Sequence, residues 1–116
     1  MNNLIHIDSE KENLIKDYLP NNKVCSKLAY FYSIFSDATR LKILVSLLVS
    51  EMCVNDLAAI LNLNQTTVSH QLKILKSSGV VSTTRKNKFI FYKITDKYIN
   101  LALMDGVDYI LTKKIV

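Results

Sequence analysis

Turn-forming residues are scarce in this chain. Its 116 residues include only two glycines and one proline. A β-sandwich or β-barrel needs turn residues about every ten positions, so this scarcity argues against those folds and favours a mainly helical one. Hydrophobic residues make up 49% of the chain, which is too high a share for a disordered protein. The length fits one domain of ordinary size.

Long apolar runs and paired cysteines are also missing. No run reaches the roughly 18 apolar residues of a membrane span, so we expect no membrane partner. Residues 1–8 lack the basic and apolar regions of a signal peptide, which predicts a cytoplasmic protein. In that compartment Cys25 and Cys53 are expected to be reduced thiols and not a disulfide.

Catalytic motifs are absent as well. The sequence has no glycine-rich phosphate loop, no CxxC pair and no motif that pairs a nucleophile with a base, and its only histidines are His6 and His70. We therefore expect a protein that is not an enzyme. The chain does carry a net charge of +5, which suits a polyanionic partner such as nucleic acid or an acidic membrane surface.

The spacing of apolar residues predicts two domain segments and a series of helices. Residues 1–22 are expected to form an N-terminal arm with a short helix capped by Asp8 or Ser9, and 23–116 the main domain. That domain begins with a helix over 23–35. Ser36-Asp37 ends it and offers an N-cap for the next helix, whose apolar positions recur at helical spacing. They are Leu41, Leu44, Val45 and Leu48.

A compact helix pair follows. Its first helix starts at Asn55-Asp56 and carries Leu57, Ile60 and Leu61, and 62–64 form a tight connection. Its second helix starts at Gln65 after the N-cap Asn64, and its apolar positions are Val68, Leu72 and Leu75. Two short helices joined by a three-residue turn are typical of a helix-turn-helix, although any helical hairpin has similar spacing.

A basic β-hairpin and a last helix complete the domain. Residues 80–84 and 89–94 are rich in β-branched and aromatic residues, and Arg85-Lys86-Asn87-Lys88 joins them. Asp96 then caps a helix over 97–112 that is apolar nearly all round. Such a helix is expected to pack its apolar surface against another surface, and we expect that surface to be a second copy of the chain.

One side of the helix at 65–77 is polar and lies opposite Val68, Leu72 and Leu75. Hydroxyl, amide and imidazole groups suit base edges in the major groove, while lysine and arginine suit phosphates. We therefore predict a DNA interface, although most surface helices have a polar side. The candidate DNA-binding residues are Gln65, Thr66, Ser69, His70, Lys73, Arg85, Lys86 and Lys88.

At this point the chain resembles the ArsR/SmtB family of metal-sensing repressors over about residues 28–109. The matching segments are 35–44, 51–58, 65–75, which contains Val-Ser-His-Gln-Leu-Lys, and the hairpin at 80–94. The resemblance implies a winged helix-turn-helix of order α-α-α-α-β-β-α. It also implies a homodimer through the terminal helices and a repressor that an inducer releases from a double-stranded operator. The twofold axis of such a dimer predicts an inverted-repeat operator.

The metal ligands that the resemblance implies are incomplete. The chain resembles the cadmium/lead-sensor branch most, but the Cys-Val-Cys of thiolate sensors is Cys53-Val54-Asn55 here, and His6 stands at a cysteine position of the arm. Cys53 of one subunit and His6 of the other are thus candidate ligands for a divalent metal inducer. A tetrahedral ion needs two more ligands. The alternative is that Cys53 is a small buried residue and His6 part of a mobile arm.

In the zinc-sensing branch of the family, the metal site lies on the last helix. Asp96 fits its first position, but Tyr98, Tyr109 and Thr112 occupy the others, and tyrosine is not a usual zinc ligand, so we predict no site there. A thiol-reactive signal is the other candidate inducer. Cys53 lies just before a helix N-terminus, whose dipole favours a thiolate, and Cys25 lies near the start of another helix, so both are candidate redox residues.

The sequence therefore predicts a sequence-specific DNA-binding transcriptional regulator. The alternative is a winged-helix module that binds a protein and not DNA. The polar, basic side of 65–77 argues against that alternative, because a protein-docking face is more apolar at its centre.

Overall fold

A computed structural model describes residues 6–113 as helices and one two-stranded hairpin. The helices are α1 (Ser9–Tyr18), α2 (Asn22–Ser33), α3 (Ala38–Val49), α4 (Val54–Leu61), α5 (Gln65–Ser77) and α6 (Lys97–Lys113), and the strands are β1 (Val81–Lys86) and β2 (Phe89–Ile94). This order confirms the predicted fold class. By contacts the chain divides into two compact units between Tyr32 and Ser33. The predicted domain boundary at 22 and 23 stays a prediction.

The first unit contains α1 and nearly all of α2. The Asp8 carboxylate accepts a hydrogen bond from the backbone N–H of Lys11 at 2.8 Å and so caps α1. Asn21 caps α2 in the same way, through the N–H of Val24 at 2.9 Å. Neither helix has a buried side chain in the single chain.

Side-chain caps fix the helix starts of the second unit. Asp37, Asn64 and Asp96 each accept a hydrogen bond from a backbone N–H in the first turn of α3, α5 and α6, which confirms the three predicted caps. The start of α4 differs from its prediction: the helix begins at Val54, and its N-cap residue Cys53 makes no side-chain capping bond.

The core of the second unit lies where α3, α4, α5 and the hairpin meet. The predicted inward face of α5 is confirmed, because Val68, Leu72 and Leu75 are all 0% exposed. The other side chains that are almost fully enclosed are Ile43, Leu44, Leu57 and Val80. The inward side of α5 packs against three elements, α3, α4 and β1.

Part of the predicted core was wrong. Leu41, Val45 and Ile60 are exposed, whereas α3 buries Ile43, Leu44 and Leu47. The helix is apolar on most of its circumference, so the spacing of its apolar residues fits more than one choice of the side that faces the core. The packing of α3 against α5, β2 and α6 decides between them.

The hairpin is tighter than predicted. Lys86 pairs with Phe89, which leaves Asn87 and Lys88 as a two-residue turn, and Asn87 has a φ of 57°. Arg85 and Lys86, which were predicted to lie in the turn, are instead the last residues of β1. Pairing extends this far because β-forming residues begin directly after the turn. Successive side chains of a strand point to opposite faces, so Arg85 and Lys86 lie on opposite faces of the hairpin.

The last helix is buried over its first half only. Ile99 and Leu103 are 8% and 7% exposed, but the apolar side chains beyond them are solvent-accessible in the single chain. These exposed side chains are Met104, Tyr109, Ile110 and Leu111. Among the residues described, no helix has the length and apolar character that crossing a membrane requires.

Candidate nucleic-acid interface

The α4–α5 pair has the geometry of a helix-turn-helix. α4 ends at Asn62, whose left-handed backbone, with a φ of 54°, turns the chain sharply. Leu63 donates its backbone N–H to the carbonyl of Ala58 at 3.0 Å, which closes the last turn of α4. Asn64 then caps α5, so only 62–64 separate the two helices.

The polar side of α5 faces solvent. The predicted base-contacting residues Gln65, Thr66, Ser69 and His70 are exposed, as is Lys73, while the opposite side of the helix is fully buried. The first four lie in the first two turns, and the N-terminal part of a recognition helix is the part that reaches base edges in the major groove. The structure thus brings the five α5 candidates together on one accessible surface.

Sequence reasoning missed a partly buried side-chain hydrogen bond that holds this helix against α3. Arg40 in α3 donates from Nη1 to Oε1 of Gln71 in α5 at 3.4 Å and from Nε to the carbonyl of Ile34 at 2.9 Å. The guanidinium therefore links the start of α3 to the middle of α5. No signal in the sequence singled out Arg40, since Lys42 is a second charged residue of the same helix.

The hairpin carries its three basic candidates in three different environments. Arg85, Lys86 and Lys88 are all exposed, but only Lys88 lies at the tip. Lys86 forms an ion pair with Glu51 and also lies 5.2 Å from the centre of the Phe91 ring. The hairpin thus presents Arg85 on one face, Lys86 on the other and Lys88 at the turn.

Glu51 belongs to a segment that is bonded to the hairpin. Met52 and Tyr92 exchange two backbone hydrogen bonds, 3.2 Å and 2.8 Å long, so the chain between α3 and α4 adds a bridge to β2. The hydrogen bond from Lys86 lowers the pKa of the Glu51 carboxyl, and the positive charges of Lys86 and Lys93 act in the same direction. Sequence reasoning did not single out Glu51.

The candidate ligand and redox residues belong to different units of the chain. Cys53 is 9% exposed at the start of α4, whereas His6 and Cys25 are exposed residues of the first unit. The Cys25 thiol donates to the carbonyl of Pro20 at 3.6 Å. Within residues 6–113, no group of three or more His, Cys, Asp or Glu side chains could hold a metal ion. A site shared between two chains, and a redox role for either cysteine, stay predictions.

Comparisons with known proteins agree with this geometry. The family described as "Bacterial regulatory protein, arsR family" matches residues 37–83, which include α3 to α5. The cadmium resistance transcriptional regulatory protein CadC of Listeria innocua is 38% identical over 105 residues, covering 89% of this chain and 87% of that protein. The transcriptional repressor SmtB homolog of Synechocystis sp. is 27% identical over 92% of this chain and 80% of its own length. The crystal structure of the antimony-specific repressor AntR superposes with a TM-score of 0.74 at 26% identity, covering 83% of this chain and 87% of that one.

Proposed function

Because the chain belongs to the arsR family of bacterial regulatory proteins, we propose that it is a homodimeric repressor that binds an inverted-repeat operator and leaves it in response to an inducer. The observation that carries the proposal is the two-sided character of α5. One side anchors the helix in the core at 0% exposure, and the other offers short polar side chains to solvent. A helix with those two sides fits the major groove of DNA.

The candidate residues divide into two roles. Gln65, Thr66, Ser69 and His70 contact base edges, because their side chains are short and end in hydrogen-bonding groups near the start of α5. Phosphates are held by cations of that helix or of the hairpin, since phosphate contacts position a protein without reading sequence. These cations are Lys73, Arg85, Lys86 and Lys88.

Retention on DNA tests the proposal against a protein-docking role. The purified protein should bind immobilised random-sequence duplex at low salt and elute as salt rises, because bound phosphates release counterions. A protein-interaction module would pass through at every salt concentration. A column of the same matrix without DNA is the control.

The exposed second half of α6 supports the homodimer. A Cβ at Gly106 would meet no described atom within 4 Å in the single chain, so a side chain there does not disturb the protomer. We expect the protein to sediment at twice 13.2 kDa at micromolar concentration, and Gly106→Leu to shift it toward monomer by crowding the interface. Gly106→Ala, a smaller change that favours the helix, is the graded control. A monomeric wild type would contradict the homodimer.

Cys53 is the residue that either class of inducer, a metal ion or a thiol-reactive species, would use. Relatives of this chain are named for cadmium resistance and antimony specificity. One thiol and one imidazole fall short of the four ligands of a closed tetrahedral site, so the described donors of this chain do not complete one. What favours Cys53 is its position, directly after the Met52 bridge to the hairpin and directly before α4.

Substitutions of the candidate ligands should separate their roles. We expect Cys53→Ser to abolish release of DNA by cadmium or by a mild oxidant, and His6→Ala to weaken the cadmium response. Asp96→Asn should leave the response unchanged, because Asp96 caps α6 and asparagine caps equally well. Fluorescence anisotropy of a labelled duplex measures each response, with Cys25→Ser as the matched thiol control. A full response in Cys53→Ser would contradict the assignment.

A further inference from the structure

The hairpin lysine that the proposed interface uses already has a carboxylate partner. Glu51, from the segment between α3 and α4, pairs with Lys86 near the end of β1. The Met52–Tyr92 bridge fixes this segment beside β2. The backbone therefore holds Glu51 close to the hairpin.

The surroundings of Glu51 are basic on one face of the hairpin. The strand register places Lys86 and Lys93 on the same face, together with Phe91. Arg85 points to the opposite face and Lys88 lies in the turn, so neither lies on the face of the hairpin that Glu51 contacts. Glu51 therefore offsets positive charge on one particular face of the hairpin.

We propose that Glu51 is an intramolecular competitor of DNA, occupying the position at the Lys86 ammonium that an operator phosphate must take. The proposal rests on the DNA-binding function proposed above. Each hairpin then gains its Lys86–phosphate contact only by giving up the Lys86–Glu51 pair. Glu51 thereby weakens DNA binding and favours dissociation of the complex.

Competition follows from how exposed the pair is. The side chains of Lys86 and Glu51 keep 53% and 31% of their surface accessible, so a polyanion can reach the ammonium. The hairpin does not need this pair for its shape. Six residue pairs join β1 to β2, and two backbone bonds join Met52 to Tyr92. Removing the charge of Glu51 should thus release Lys86 without unfolding the hairpin.

Glu51→Gln tests the proposal with the full-length protein and fluorescently labelled duplexes. An exposed pair of this kind contributes little, so affinity should rise by about two- to fivefold for each hairpin, on selected and random duplexes alike. The slope of log affinity against log salt should stay nearly unchanged, since Lys86 neutralises one phosphate for each hairpin in both complexes. Glu10→Gln, an equal change of charge at an exposed position of α1, is the control.

A second substitution assigns the gain to the lysine. Adding Lys86→Met to Glu51→Gln should remove the gain in affinity and flatten that slope by about one for each hairpin. Unchanged or weaker binding by Glu51→Gln overturns the proposal, as does an equal gain in Glu10→Gln or a gain that persists without Lys86. If the wild-type protein shows no salt-dependent binding to any duplex, the proposed function fails, and this proposal fails with it.

Discussion

Leu72→Ala is expected to lower the free energy of unfolding by about 2–5 kcal/mol. Leu72 is 0% exposed on the inward side of α5, where that helix packs against α3, α4 and β1. Truncation removes buried apolar contact and leaves a cavity that three packed elements cannot all close. Since small domains have a total stability of about 5–15 kcal/mol, the loss is a large share of it.

Urea denaturation followed by circular dichroism measures this effect. Lys76→Ala, an exposed substitution on the same helix, is the matched control and should change stability by no more than about 0.5 kcal/mol. A loss below about 1 kcal/mol for Leu72→Ala would mean that α5 is not anchored through this face.

His70→Ala is expected to weaken binding to the operator by about 1–3 kcal/mol in each half-site, and so by about 2–6 kcal/mol in the dimer complex. His70 is exposed in the second turn of α5, next to Ser69, where a recognition helix meets base edges. The loss should relax the sequence preference at one base pair in each half-site. Binding to random duplex should change little.

Lys88→Ala is the comparison that separates the two roles. Lys88 lies at the hairpin tip, and its loss should weaken binding to all sequences and flatten the salt slope by about one for each hairpin. Both variants are titrated onto operator and random duplexes at several salt concentrations. If neither changes affinity for any duplex, this surface does not bind DNA, and the protein-docking alternative becomes the better account.

Local patterns were enough to predict most helix starts and the inward face of α5. Asp37, Asn64 and Asp96 are capping residues directly before apolar periodic segments, and short-range hydrogen bonds decide such positions. The polar side of α5 made its apolar side unambiguous. In α3 apolar residues cover most of the circumference, so only packing against other elements selects Ile43 over Leu41.

The parts of the candidate site that sequence reasoning missed are long-range pairs. Glu51 and Lys86 are 35 positions apart, and Arg40 and Gln71 are 31 apart. Neither pair follows from periodicity. The Glu51–Lys86 pair depends on the Met52 bridge to the hairpin, and the Arg40–Gln71 pair depends on the packing of α3 against α5. The placement of Arg85 and Lys86 within β1 was missed for a related reason, since the register of β2 sets where the turn begins.

Selection of bound duplexes from a random-sequence pool, followed by sequencing, tests most directly whether this chain reads DNA as a dimer through α5. We expect an enriched inverted repeat whose half-sites lie about one helical turn, or a multiple of it, apart. The same selection with Ser69→Ala or His70→Ala should lose preference at matching positions in both half-sites. A pool that shows no enriched sequence with the wild-type protein, or an enriched sequence that both substitutions leave intact, would contradict the account.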